Sequence, residues 1–303
     1  MLSNIVKVEN SQYKLFIMAQ SLSEQQTAQV MDYCQQKNID LCDSVQKIAH
    51  NCATVALRCS LTGLERLRMD LKQLASQLKV DLVLLAHREF QRKRKLAVFD
   101  MDSTLIQVEV IDELAKKAGV GDQVMSITAA AMRGELDFNQ SFAQRLGLLK
   151  GLDESVLAEI AATLPIMPGL PELLQVLQQK GYKTAILSGG FNYFANYLQD
   201  KYGFDYSYAN ALEIKQSKVT GRVLGEIVNG ERKVMYLREI AEEEGIALSD
   251  TIAVGDGAND LPMLAVANLG VAFHAKPLVI EQAVHSISTL GLDALLYLID
   301  EQK

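Results

Sequence analysis

Cysteine, basic charge and long apolar runs are all in short supply in this chain, and each shortage removes a class of function. The four cysteines, Cys34, Cys42, Cys52 and Cys59, fall within the first 60 residues, and none forms a CxxC pair. Their spacing does not suit a zinc site and no histidine pairs with them. They read as small buried hydrophobes of a reducing compartment, so a cytoplasmic location is expected. Lys and Arg number 30 against 37 Asp and Glu, for a formal net charge of -7 and a pI of about 5.3. A mildly acidic chain has no general attraction for nucleic acid or anionic lipid, so neither is expected as a partner. No apolar run approaches the roughly 20 residues that a membrane helix needs. The stretch MLSNIVKVENSQ has no basic region leading into a long apolar one, so no signal peptide is expected. His50, His87, His274 and His285 are scattered and belong to no triad. LSGGF is not a GxSxG elbow, and neither GxGxxG nor a Walker pattern is present, which disfavours serine-hydrolase and common nucleotide-binding chemistry.

What the chain does have is bulk. At 303 residues and 49% hydrophobic it can bury a real core, and the length suits two domains. The first part alternates short elements. YKLFIMAQ (13–20) reads as a strand, and SEQQTAQVMDYCQQKN (23–38) as a helix with Ser23 as N-cap. IDLCDSVQKIA and CATVALRCSL read as strands joined at His50 and Asn51. GLERLRMDLKQLASQLKV is an amphipathic helix, and DLVLLA (81–86) a strand. The order is β-α-β-β-α-β, a ferredoxin-like α+β pattern. HREFQRKRK (87–95) is polar, basic and free of apolar periodicity, and is expected to be a solvated linker. The boundary placed here gives domains at 1–90 and 91–303.

Beyond it the rhythm changes. KLAVFD (95–100), KTAILS (183–188), TIAVGD (251–256) and LGVAF (269–273) are the short apolar runs of strands buried on both faces. Residues 108 to about 163 look helical throughout. Helical spacing returns in PELLQVLQQKG (171–181), in 191–202 and in VMYLREIAEEEG (234–245), with a hairpin expected at 206–228. Strands alternating with helices imply an α/β domain with a Rossmann-like parallel sheet.

Ligands of such sheets sit beyond the carboxyl ends of the strands. Here those ends read Asp100-Met101-Asp102-Ser103-Thr104, then Ser188-Gly189-Gly190, then Gly255-Asp256-Gly257-Ala258-Asn259-Asp260. In extended chain, residues i and i+2 face the same way, so Asp100 and Asp102 point two carboxylates into one pocket. They repel, and either one keeps a proton or a cation joins them. Asp256 and Asp260 add two more acids, an oxygen-rich set that fits Mg²⁺.

DMDSTL, SGG, a downstream lysine and GDGAND together resemble the haloacid dehalogenase superfamily of aspartate-nucleophile phosphatases, over the chain from about residue 95. EVIDELA, AAMRGELDFNQSFAQRLGLLKG, MPG, LSGGF and VGDGANDLPML are similar to its phosphoserine phosphatase family, and the N-terminal unit resembles the ACT-type domain of some bacterial members. The resemblance implies a helical cap inserted at about 108–167. It implies Mg²⁺-dependent hydrolysis of O-phospho-L-serine through an aspartyl-phosphate, as the last step of serine biosynthesis. Asp100 would be the nucleophile and Asp102 the acid and base. Asp100, the backbone carbonyl of Asp102 and Asp256 would hold the metal, with Asp260 supporting. Ser188, Gly189 and Lys233 would bind the phosphoryl group. Glu109 would meet the substrate ammonium and Arg145 its carboxylate, with Met132, Phe138 and Asn259 completing the pocket. The turn AQSLSEQQ lacks the glycine of ligand-binding ACT-type domains, which favours a folding or homodimer-forming module over an amino-acid sensor. Two other readings stay open. One is transfer of the phosphoryl group to, or its hydrolysis from, another small alcohol. The other is an inactive sensor of a phosphorylated amino acid.

Overall fold

The computed structural model describes residues 10–299; most of the stretch read for a signal peptide, and the outermost ends of both expected domains, lie outside the described residues. The chain divides into two compact units, one running up to Lys93 and resuming at Val284, the other spanning Arg94–Ala283. No helix among the described residues is long and apolar enough to cross a membrane.

The first unit carries strands β1 (Asn10–Met18), β2 (Asp40–Leu41), β3 (Gln46–Ala49), β4 (Cys52–Ser60) and β5 (Asp81–Ala86), with helices Glu24–Gln36 and Leu61–Leu78. Its antiparallel sheet runs β2-β4-β1-β5, with β3 also on β4. Ser23 caps the first helix by accepting from the Gln26 amide, and the Gln26 side chain returns the bond to the Ser23 amide. Tyr13, Leu15 and Ile17 alternate along β1 and meet Val30, Cys34, Leu67 and Leu71 from the helices. Each such apolar side chain contributes about 1.5–3 kcal/mol by leaving water. All four cysteines are free thiols. Cys34 and Cys52 are buried, and burial pushes their thiols up to about 11 and about 12 respectively, so they stay protonated and inert.

The stretch expected as a solvated linker is only partly so. His87–Phe90 forms one helical turn, and Phe90 is buried with its ring 5.4 Å from that of Phe16 and the Lys14 ammonium 4.3 Å from its centre. Arg94 is also buried, its Nε donating to Asn268 Oδ1 at 3.0 Å. One aromatic and one arginine spaced among polar residues show no periodicity, which is why the pattern missed them. The far end of the chain also departs from expectation. From Val284 it belongs to the first unit, where Asp81 accepts from the Ser288 and Thr289 amides (2.7 and 3.0 Å) and from Thr289 Oγ1 (2.6 Å). Tyr297 Oη donates to Asn51 Oδ1 at 2.8 Å.

The second unit is built on β6 (Leu96–Phe99), β7 (Lys183–Phe191), β8 (Tyr206–Lys215), β9 (Lys218–Leu224), β10 (Thr251–Gly255) and β11 (Leu269–Phe273). Their order is β11-β10-β6-β7-β8-β9, parallel except for the β8–β9 hairpin. Leu96, Val98, Ala185, Leu187 and Ala253 pack against Leu237, Ile240 and Met263 of the covering helices. From β6 the sheet grows in two directions, toward β7 and toward β10, so its strand order switches there. Crevices form at such switch points beyond the strand ends. Between β6 and β7 come helices Val110–Ala118, Gly121–Met132, Phe138–Leu148 and Ser155–Ala162, with no strand among them, and then Leu170–Gln179.

Candidate active site

β6 delivers Asp100, Met101 and Asp102 into the crevice. The Asp100 amide still donates to the Val254 carbonyl at 2.9 Å, so the chain remains extended and the two carboxylates share a side. Met101 is fully buried, and its carbonyl accepts from the Leu105 amide at 2.8 Å as the chain turns. Ser103 begins that turn in the left-handed region, at φ 56°. Asp102 Oδ1 accepts from the Val110 amide at 3.0 Å. Its Oδ2 fills the space above Gly190, where an added Cβ would lie 2.4 Å from it. Only glycine leaves room for this carboxylate.

β10 delivers Asp256 and Asp260. Asp260 folds back so that its Oδ2 accepts from the Gly257 amide at 2.9 Å, over a Gly255 whose Cβ would fall 2.4 Å from its Cγ. Lys233 lies between the two groups of acids. It is fully buried and donates to Asp100 Oδ1 at 2.5 Å and Asp260 Oδ1 at 2.6 Å. The helix carrying it begins earlier than the sequence suggested. It spans Gly230–Glu243, with Asn229 accepting from the Arg232 amide at 3.1 Å as its cap. The polar GER of the first turn hid that start, and it is the first turn that aims Lys233 inward.

The balance of charge is negative. Burial, then Asp260, push Asp100 up to about 7 against the pull of Lys233. Burial, then Glu109 and Asp100, hold Asp102 well above the usual carboxylate range. Burial, then Asp100 and Asp260, push Asp256 up to about 8. Burial alone would weaken the Lys233 ammonium, but Asp100 and Asp260 outweigh it and keep it protonated. One lysine does not neutralise this many buried acids. Asp100, Asp256 and Asp260 each offer a carboxylate oxygen, all within 4.8 Å of one another. Hard oxygen donors in a dry, acid-rich site fit Mg²⁺. Both oxygens of Asp260 already have partners, which suits a supporting position better than a primary one.

Ser188 is fully buried, and its Oγ accepts from the Gly190 amide at 2.9 Å. A Cβ on Gly189 would lie 2.9 Å from Phe138 Cζ and 3.5 Å from Asn259 Nδ2, so these three residues converge. Glu109 accepts from Ser103 Oγ at 2.9 Å, and its charge is felt at Asp100, Asp102 and Asp256. Arg145 is partly buried, with Nε donating to the Ser141 carbonyl at 3.3 Å. Burial lowers its guanidinium from the ordinary value, and Glu109, Asp112 and Asp102 offset part of that. Met132, by contrast, ends its helix 69% exposed. Two residues that sequence reasoning passed over stand here as well. Lys276 Nζ is 4.0 Å from Asp256, just past the end of β11, where the strand-end rule points. Asn210 is a buried amide whose Nδ2 donates to the Gly189 carbonyl, and nothing in its strand of mixed polar and apolar residues marked it out.

The paired aspartates at the sheet's switch point, the buried lysine and the glycine-rich acidic loop make a hydrolase-type site. The model of the family described as haloacid dehalogenase-like hydrolase matches residues 97–265, and the chain belongs to that family. Within it the chain is 45% identical over 228 residues to the phosphoserine phosphatase of Archaeoglobus fulgidus, covering 75% of this chain and 66% of that protein. The chain thus spans about two thirds of the length of the curated relatives it matches. Similar solved structures include the following two. One is a HAD family hydrolase from Salmonella enterica serovar Typhi (TM-score 0.84, 33% identity), covering 96% of this chain and 100% of that one. The other is a phospho-aspartyl intermediate analogue of phosphoserine phosphatase (TM-score 0.65, 42% identity), covering 69% of this chain and 100% of that one.

Proposed function

We propose that this chain hydrolyses O-phospho-L-serine to L-serine and phosphate through an aspartyl-phosphate on Asp100, with Mg²⁺ as cofactor, the closing step of serine biosynthesis. The observation that carries the reading is the pairing of Asp100 and Asp102 on one side of a buried strand end, one salt-bridged to Lys233 and the other accepting from the Val110 amide, with burial and the neighbouring acids raising its carboxyl well above the usual range. Asp100 attacks phosphorus and the P–O bond to serine breaks. Serine leaves as an alkoxide, a poor leaving group, so Asp102 gives it a proton. Asp102 then takes a proton from the water that attacks the same phosphorus, and the Asp100–phosphorus bond opens.

Lys233, Ser188 and the Gly189 amide hold the phosphoryl oxygens through both halves. Asp100, the Asp102 carbonyl and Asp256 would hold Mg²⁺, with Asp260 and Asn259 supporting. When bound, it supplies charge that lets an anionic carboxylate approach an anionic ester. On the cap side Glu109 meets the substrate ammonium and Arg145 its carboxylate. Met132 and Phe138 line the small side chain and shield it from water. The second unit, Arg94–Ala283, does this work in the cytoplasm. The first we read as an ACT-like folding or dimer-forming module, because the turn after β1 carries no glycine.

The test is phosphate release from L-phosphoserine with Mg²⁺, beside phosphothreonine, a sugar phosphate and an aryl phosphate. Preference for phosphoserine, with activity at least about a thousandfold lower in Asp100→Asn, supports mechanism and substrate together. Activity confined to the other esters keeps the mechanism and removes the substrate. Wild-type turnover in Asp100→Asn removes the mechanism.

A further inference from the structure

β7 does not run smoothly into the site. Leu187 pairs with Tyr208 and Phe191 with Asn210, so four steps along β7 match only two along β8. Ser188-Gly189-Gly190 thus faces the single residue Ala209, and this segment bulges out of the ladder toward the aspartates. A bulge leaves backbone groups without ladder partners, and a buried one must find others. Ser188 Oγ serves the Gly190 amide, and Asn210, at the residue pair where the ladder resumes, serves the Gly189 carbonyl. Its side chain is 1% exposed; Nδ2 donates to the Gly189 carbonyl at 2.8 Å, and Oδ1 accepts from the Val228 amide at 2.9 Å. Val228 is followed at once by Asn229, the cap of the helix that presents Lys233. A Cβ on Gly189 would lie 3.4 Å from the Val228 carbonyl, so the bulge and this segment also touch directly.

We propose that Asn210 is a positioning residue for phosphoryl transfer, its one carboxamide fixing the Ser188–Gly190 bulge and the Lys233 helix start at a set separation. Resting on the reading that these two elements hold the phosphoryl oxygens, it assigns Asn210 no contact with substrate. Its two bonds use different ends of the amide. The donor end orients the Gly189 peptide, and the acceptor end holds the segment before the lysine helix. Donors preorganised toward a transition state lose much of their effect when displaced by fractions of an ångström.

Asn210→Asp separates the two ends. It keeps an acceptor for the Val228 amide but turns a carboxylate oxygen on the Gly189 carbonyl. The full chain is assayed for kcat, KM, inhibition by orthovanadate (which takes a transferring phosphoryl group's shape) and thermal midpoint. The expected result is kcat lower by roughly tenfold or more, KM within about threefold, and vanadate inhibition weakened in step with kcat/KM. Asn210→Ser, smaller and neutral, should show the same split and serves if the aspartate variant does not fold. Wild-type kcat and vanadate inhibition in a folded variant overturn the proposal. So does a loss of activity that only follows the folded fraction, with vanadate inhibition unchanged. A wild-type protein that hydrolyses no phosphomonoester overturns the functional reading, and this inference with it.

Discussion

The floor of the site and its cap side are built to different standards. On the floor, Asp100, Asp102, Ser188, Lys233, Asp256 and Asp260 are all buried, and Asp100, Asp102, Ser188, Lys233 and Asp260 each have a direct hydrogen-bond partner in protein. Glycines at 190 and 255 admit carboxylates where any side chain would collide. On the cap side, Glu109, Phe138 and Arg145 are only partly buried, and Met132 is exposed. Charges buried this closely tolerate little displacement, because an unpaired buried polar group is costly. On the proposed function the cap side tolerates more looseness, because its side chains would bind a small substrate instead of making bonds to phosphorus. Variants of the floor should therefore act on turnover and on stability together, and variants of the cap on substrate preference alone.

Lys233→Met tests the floor most severely. It leaves Asp100 and Asp260 facing each other without their shared cation. Removing one partner of a buried ion pair costs about 3–5 kcal/mol. Turnover should fall by at least about a hundredfold, and the thermal midpoint without Mg²⁺ should fall more at pH 8 than at pH 5, where the acids can take up protons instead. A midpoint unchanged at both pH values would show that the lysine does not hold the floor together.

Arg145→Lys tests the cap. A lysine keeps the charge and loses the planar fork that grips a carboxylate. KM for phosphoserine should rise by roughly tenfold, while turnover of an aryl phosphate, which has no such carboxylate, stays near wild type. Equal losses on both substrates would move Arg145 from recognition to chemistry and erase the contrast.

A smaller effect separates the two regions without mutation. Asp100 and Asp256, with folded pKa values near about 7 and about 8, sit above the ordinary 3.8. The folded chain thus binds more protons than the unfolded one between these limits. The contribution of these two acids to stability without metal is fullest below about pH 4 and is lost as pH rises through 7 and 8. A cation that binds the ionised acids offsets that loss. In chelator the thermal midpoint should drop from pH 5.5 to pH 8.5, and Mg²⁺ should restore several degrees at the upper pH and little at the lower. An equal Mg²⁺ shift at both would place the ion away from these acids.

The same contrast governs what could be read from the residues. DMDST and GDGAND announce the floor because adjacent acids at strand ends have few other uses. The β6, β7, β10 and β11 strands announce themselves by short, mainly apolar runs. Lys233 was legible only through resemblance, since its helix starts at a polar turn, and Asn210 not at all, since a lone amide in a strand carries no pattern. The buried Phe90 and Arg94, and the return of the chain after Val284 to the first unit, follow from tertiary contacts that local periodicity does not encode.

Met132 marks the far end of the comparison. The resemblance lines the substrate pocket with it, yet the structure leaves it 69% exposed, along with Met125 one heptad earlier on the same helix. An exposed methionine contributes little to folding, so Met132→Ala should leave the thermal midpoint within about a degree. If the cap closes over bound substrate, the side chain is covered only then, and its loss removes a modest apolar contact of about 1 kcal/mol, or a KM several-fold higher at constant kcat. Aryl phosphates, which bring their own apolar surface, should be less affected than phosphoserine. A fall in kcat instead would mean that this methionine helps exclude water during the chemistry, and would draw one cap residue into the floor's half of the contrast.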